Sequence, residues 1–308
     1  MQTELALLRI SIAATITFAA VGVVVGLVAG STAILFEGVY GIVDAVMTIL
    51  ALLVARLITA SNEADATGRN LSQRFTFGFW HLEPIVLGLN GILLTVAAVY
   101  ALLNAVGVIL AGGRPLSFDL AMVYAGASTV LNVFMTIYIT RRNRTIGSAL
   151  VALDAKAWLM SAALGAALFI AFLVGHAVQG TRHAWLGPYV DPVALVVICL
   201  VIIPVPFATV RKALSEILLV TPADLREQVD AVARDIVEQL EFLSYHAFVA
   251  RVGRGVQVEL NFVVPANRPA KPLEEWDALR DRIAEAFGND SPDLWLTITF
   301  TTDPEWAW

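Results

Sequence analysis

The chain has 308 residues, of which 58% are hydrophobic and only 15% charged, and a mean hydropathy of +0.76. Soluble domains carry about 25% charged residues, so this composition excludes an ordinary soluble enzyme and a disordered chain alike. A single cysteine, Cys199, excludes a disulfide framework, and a net charge of −6 with a pI near 5.2 argues against nucleic acid as a partner.

The average conceals two regions. Residues 1–206 hold ten Lys and Arg against nine Asp and Glu, whereas residues 207–308 hold ten against seventeen. The first region is charge-poor and the second reads as a soluble acidic domain. The opening apolar stretch runs from Leu5 to Leu35 with Arg9 as its one charge. That is far longer than the apolar core of a cleavable signal peptide, and no basic segment precedes it.

Crossing ~30 Å of hydrocarbon takes roughly 20 apolar residues in a helix. Six stretches qualify, at about 8–29, 32–58, 82–111, 117–139, 150–177 and 190–210. Glycines, prolines or charges separate them, among them Gly112, Gly113, Arg114 and Pro115, and the cluster Arg141, Arg142 and Arg144. Lys and Arg in short loops set orientation. Arg69, Arg74, Arg141, Arg142, Arg144, Arg211 and Lys212 fall on one side, and only Arg114 and Arg182 on the other. That asymmetry predicts both termini in the cytoplasm, a transmembrane domain over 1–210 and a cytoplasmic domain over 211–308.

The tail has its own periodicities. Pro222–Leu243 repeats apolar residues at helical spacing (Leu225, Val229, Val232, Ile236, Leu240), with Thr221 or Asp224 as its expected cap. Tyr245–Arg251 and Val256–Val264 alternate as strands about Gly253, Arg254 and Gly255, a hairpin signal. A second amphipathic helix follows at Leu273–Phe287 and a third strand at Leu294–Thr302. The order α-β-β-α-β predicts a small ferredoxin-like α+β domain with its helices on one sheet face.

Charged residues inside a span cost about 2.5–3.5 kcal/mol on insertion scales, so they are functional candidates by default. The second span carries Glu37, Tyr40 and Asp44 at i, i+3 and i+7, which places three oxygen-bearing side chains on one helix face. In the fifth span Asp154, Ala157 and Ser161 repeat that spacing, with Lys156 between them. Lys156 is a possible charge partner for Glu37 or Asp154. Tyr40 reads equally as a packing residue. His81 and Glu83 open the third span, with Asn90 two turns deeper, and Asp191 with Pro192 opens the sixth; near span ends their expected roles are structural. No nucleophile with its base, phosphate loop or zinc-hydrolase motif is present, so no enzyme is expected.

The run from Glu37 through Tyr40 to Asp44, the run Phe77 to Pro84 (Phe-Gly-Phe-Trp-His-Leu-Glu-Pro) and the Asp191–Pro192 pair resemble, in order and on the same topology, motifs of the cation diffusion facilitator family of divalent-metal/proton antiporters. The resemblance spans essentially the whole chain. It implies a homodimer paired through the cytoplasmic domains, and a tetrahedral site from the second and fifth spans. One divalent ion of the zinc, manganese or iron(II) class would be the substrate, exported against inward protons as counter-ion across the inner or plasma membrane.

The departures are specific. At the fifth-span ligand positions, counted from Asp154, this chain has Ala157 and Ser161. Ala157 cannot ligate metal, which leaves Tyr40, Asp44 and Ser161, with Glu37 and Asp154 as a displaced oxygen-rich set. Oxygen ligands without Cys or His favour harder ions such as manganese or magnesium over zinc. In the tail the resemblance matches His246, Glu259, Thr301 and Asp303 to a weak cytoplasmic metal set, for which a solvated sheet edge is the competing reading. The loop at 70–79 lacks the His and Asp of some members, so no metal is expected there. A transporter of a different substrate and a non-transporting, partner-binding subunit are the alternatives to a cation exporter.

Overall fold

The computed structural model describes residues 2–65, 78–146, 149–288 and 293–308. Arg69, Arg74, Phe77 and the loop at 70–77 therefore lie outside the described residues. Helices α1 (Gln2–Ala29), α2 (Thr32–Asp65), α3 (Leu82–Leu110), α4 (Phe118–Ile146), α5 (Ala149–Val178), α6 (Gly187–Ile202) and α7 (Pro204–Ile217) precede the tail. The tail contributes α8 (Ala223–Leu240), β1 (Ser244–Val252), β2 (Gly255–Val263), α9 (Leu273–Ala286) and β3 (Leu294–Thr301).

Six stretches are long and apolar enough to cross a bilayer: Ala6–Ala29, Thr32–Ala60, Leu82–Leu110, Phe118–Ile146, Asp154–Val178 and Ala184–Ile217. The last is longer than the sequence suggests, because two helices share it. Pro204 has no N–H to donate and its ring crowds the preceding turn. Ile203 nevertheless keeps right-handed helical dihedrals and donates to the Cys199 carbonyl at 2.9 Å, so the rod continues as α7 to Ile217.

Two compact units make up the chain, Met1–Leu52 with Leu89–Val210, and Leu53–Gly88 with Arg211–Trp308. The second takes in residues 53–88 as well as the tail. In the first unit α4 and α5 pack along each other, with α1 on α4 and α6 on α5. Ile34, Ala98, Ala105, Ala121, Phe172 and Leu195 bring residues of α2 to α6 into one buried cluster. Hydrocarbon offers no hydrophobic drive between helices, so close approach of small residues must supply the packing. Gly26 and Gly38 do this between α1 and α2. A Cβ on Gly26 would lie 2.5 Å from the Leu35 nitrogen, and one on Gly38 2.6 Å from the Val23 nitrogen.

In the second unit the tail forms the expected α-β-β-α-β domain. The sheet order is β1-β2-β3, antiparallel between β1 and β2 and parallel between β2 and β3. Leu225, Val229 and Ala233 of α8 and Leu279 and Ile283 of α9 cover Ala247, Val249, Val258, Leu260 and Ile298, so both helices lie on one face. Two details of the first tail helix differ from the sequence reading. Pro222 occupies the N-cap position without a side-chain bond, and Thr221 instead donates to the Val249 carbonyl at 2.9 Å. The helix ends at Leu240, where Glu241 turns left-handed (φ 52°) and sends Phe242 into the core.

The β1–β2 turn is anchored within the same unit. Val252 pairs with Gly255, leaving Gly253 (φ 61°) and Arg254 as a two-residue turn. Glu83 Oε2 accepts from the Arg254 backbone nitrogen at 3.1 Å and from Arg254 Nε at 3.2 Å, and Glu216 Oε2 accepts from the Gly253 nitrogen at 3.1 Å. A Cβ on Gly255 would sit 2.5 Å from the Trp80 ring, so the contact has no room for a side chain there.

Candidate functional site

The i, i+3, i+7 faces of α2 and α5 meet at a cavity of about 140 Å³ in the first unit. Glu37, Tyr40 and Asp44 line it from α2, and Asp154, Ala157 and Ser161 from α5. All five residues expected at a transport site therefore share one enclosure. Phe18, Phe36, Leu164, Leu168, Ile198 and Ile202 supply apolar wall, which lowers the local dielectric.

Each outer carboxylate is held by one oxygen only. Ser11 of α1, 2% exposed, donates through Oγ to Asp154 Oδ1 at 2.9 Å, and Trp158 Nε1 donates to the same Ser11 oxygen at 2.8 Å. Asp154 Oδ2 is buried and takes no hydrogen bond from the described residues. On the other side Ser128 Oγ donates to Glu37 Oε1 at 3.3 Å and accepts from Asn132 Nδ2 at 3.2 Å, while Glu37 Oε2 is buried without a partner. Asp44 lines the same cavity as Asp154. Tyr124, only 6% exposed, lines the same cavity, and its hydroxyl has no hydrogen-bond partner among the described residues.

Ser11, Ser128, Asn132 and Tyr124 are the functional candidates that sequence reasoning missed. Their signal was present as polar groups in apolar spans, Ser128 and Asn132 one turn apart, but which carboxylate each meets is a matter of tertiary packing.

Lys156 is a correction. It is exposed, and among the described residues no ion pair joins it to Glu37 or Asp154. Helix geometry gives the reason: residues two apart point about 200° from each other, so Asp154 and Lys156 cannot share a face. Among the described residues no Lys, Arg or His lines the cavity.

The span-end residues have separate places. Asp191, 3% exposed, accepts from Ser31 Oγ at 2.5 Å, Thr32 Oγ1 at 2.7 Å, the Thr32 nitrogen at 2.8 Å and the Ala33 nitrogen at 3.4 Å. It caps α2 from a helix 160 residues away in sequence. Glu83 holds the hairpin turn, and His81 is exposed.

The cytoplasmic set is not gathered. His246 lies tilted against Trp308 with ring centroids 3.8 Å apart and pairs across the sheet with Asn261, and Glu259 pairs with Phe248. Asp303 accepts from the Glu305 nitrogen at 3.0 Å and caps the final turn. Among the described residues no three His, Cys, Asp or Glu side chains converge on one point in either unit.

No curated protein matches the chain significantly. Residues 8–218, more than half of the chain and all six spans, match the family model described as Cation efflux transmembrane domain. The chain therefore belongs to the cation diffusion facilitator family, multi-pass membrane transporters of metal cations and not enzymes.

Proposed function

We propose that the protein is a proton-coupled exporter of a divalent metal cation, with Glu37, Tyr40, Asp44, Asp154 and Ser161 around the transport site. One observation carries this reading: three carboxylates surround one cavity that, among the described residues, no cationic side chain lines. Buried carboxylates without a cationic partner are expensive, so positive charge has to come from an ion or from protons. The same oxygens take up either a metal or a proton, so the two compete for one site. Ala157, which offers no ligand atom, sits where the family resemblance calls for one; the carboxylates at Glu37 and Asp154 compensate.

The remaining features support a C2 homodimer in the inner or plasma membrane with both termini cytoplasmic. The sheet face away from α8 and α9 leaves Phe248 (44%) and Trp295 (37%) exposed, with Trp306 and Trp308 beside it at the chain's end, an apolar surface that a second copy would cover. Proteoliposomes loaded with a pH dye test the coupling. An imposed divalent-cation gradient should drive proton movement in the opposite direction. Cation flux without any pH change would remove the antiport, and absence of flux for every divalent ion would remove the transport reading.

A further inference from the structure

We propose that the tail carries a ligand site of its own, a pocket that binds a nucleoside polyphosphate beside the first turn of α9. A cavity of about 390 Å³ lies there, within the range of about 300–1,000 Å³ usual for small-molecule sites. It has room for roughly thirteen waters at ~30 Å³ each, far more than a lone phosphate fills. Arg268, Lys271 and Arg280 line it, and among the described residues no Asp or Glu does. Residues 207–308 hold ten Lys and Arg against seventeen Asp and Glu, so three cations around one pocket run against the charge of the domain. Trp276 and Phe300 line the same pocket with ring centroids 4.7 Å apart, which sets an aromatic wall beside the basic one.

The cations are available to an anion. Lys271 pairs with Glu275 and Arg280 with Asp277, but both carboxylates are more than half exposed, so water screens these pairs and a phosphate can displace them. Arg268 makes no ion pair among the described residues. Its Nη2 donates to the Glu241 carbonyl at 3.2 Å and its guanidinium lies 5.0 Å from the centre of the Phe242 ring. Guanidinium groups fork onto phosphate oxygens, a lysine adds a point charge, and an aromatic face stacks any base. Leu273, the first residue of α9, is also in the wall, so the helix end that favours anions belongs to the pocket. Pro265, Pro269 and Pro272 fix φ at three places along the loop, so little ordering remains for binding to impose. A lipid headgroup would engage the same cations but has no flat ring to set against Trp276 and Phe300. The site lies wholly within the tail and does not depend on what the transmembrane cavity carries.

Calorimetric titration of the full-length protein in detergent compares ADP, ATP, adenosine, pyrophosphate and inositol trisphosphate. A chelator is present throughout, so that no divalent ion can link a nucleotide to the transport cavity. ADP and ATP should bind with a Kd of about 100 µM or tighter, and adenosine and pyrophosphate at least about ten-fold more weakly, because each engages one wall only. Lys271→Gln and Arg268→Gln, both on the surface loop, should each weaken ATP binding about five-fold or more. Trp276→Leu should weaken ADP about ten-fold while leaving pyrophosphate within about two-fold of wild type. Should that variant fail to fold, the two loop variants and the ligand series decide the matter by themselves. No binding of ADP or ATP at about 1 mM, or binding that both loop variants leave unchanged, overturns the site. Pyrophosphate or inositol trisphosphate binding as tightly as ADP overturns the assignment to a nucleotide.

Discussion

Ser11 of α1 gives its only hydroxyl proton to Asp154 of α5 while accepting from Trp158, so a residue 143 positions away holds one oxygen of Asp154 in place. Ser11→Ala would leave Trp158 Nε1 and Asp154 Oδ1 without their shared partner. Stranding a buried polar group costs about 1–3 kcal/mol. The expected outcome is a lower melting temperature together with weaker ion affinity, seen as a raised KM. Ser11→Thr, which keeps the hydroxyl, should recover affinity ahead of stability because its extra methyl must fit a buried site.

Asp191 closes the start of α2 with four accepted hydrogen bonds. Asp191→Ala should destabilise the protein by about 1–3 kcal/mol. Asp191→Asn retains one acceptor oxygen and should lose less. Thermal unfolding in detergent measures both. The protein that remains folded should show unchanged preference among ions, since Asp191 does not line the cavity.

The hairpin contact separates two kinds of glycine. Gly255→Ala would drive a methyl into Trp80 at 2.5 Å, whereas at Gly288 (φ 75°) a methyl meets nothing and only the left-handed backbone objects. Gly288→Ala should cost about 1–2 kcal/mol, and Gly255→Ala more. Glu83→Gln should cost about 1 kcal/mol or less, because Glu83 and Arg254 are each about a third exposed and water screens their pair.

Orientation is checked by labelling single cysteines in a Cys199→Ala background, the native thiol being buried. A membrane-impermeant maleimide applied from outside should reach Arg114→Cys and not Arg142→Cys. The reverse pattern would place the acidic tail domain outside.

Much of this was legible in the chain because it is local. The spans follow from run length, the strands from alternation about Gly253 to Gly255, and the shared face of Glu37, Tyr40 and Asp44 from helical periodicity. The outward direction of Lys156 was local too: its two-residue offset from Asp154 already forbids a common face. What was not legible is pairwise and distant. Ser11 finds Asp154, Ser128 finds Glu37 and Asp191 finds Ser31 only once helices far apart in the chain have packed. His246 is likewise decided by Trp308, which swings back over the sheet.

Asp44 bears most directly on the proposed transport site. It lines the cavity with Glu37 and Asp154. Asp44→Asn keeps the volume and an acceptor oxygen while removing the charge, so it tests chemistry and leaves packing intact. Divalent-cation flux into proteoliposomes should fall to the level of empty vesicles while the purified protein elutes and melts as wild type does. Wild-type flux in Asp44→Asn would contradict the assignment of this cavity as the transport site.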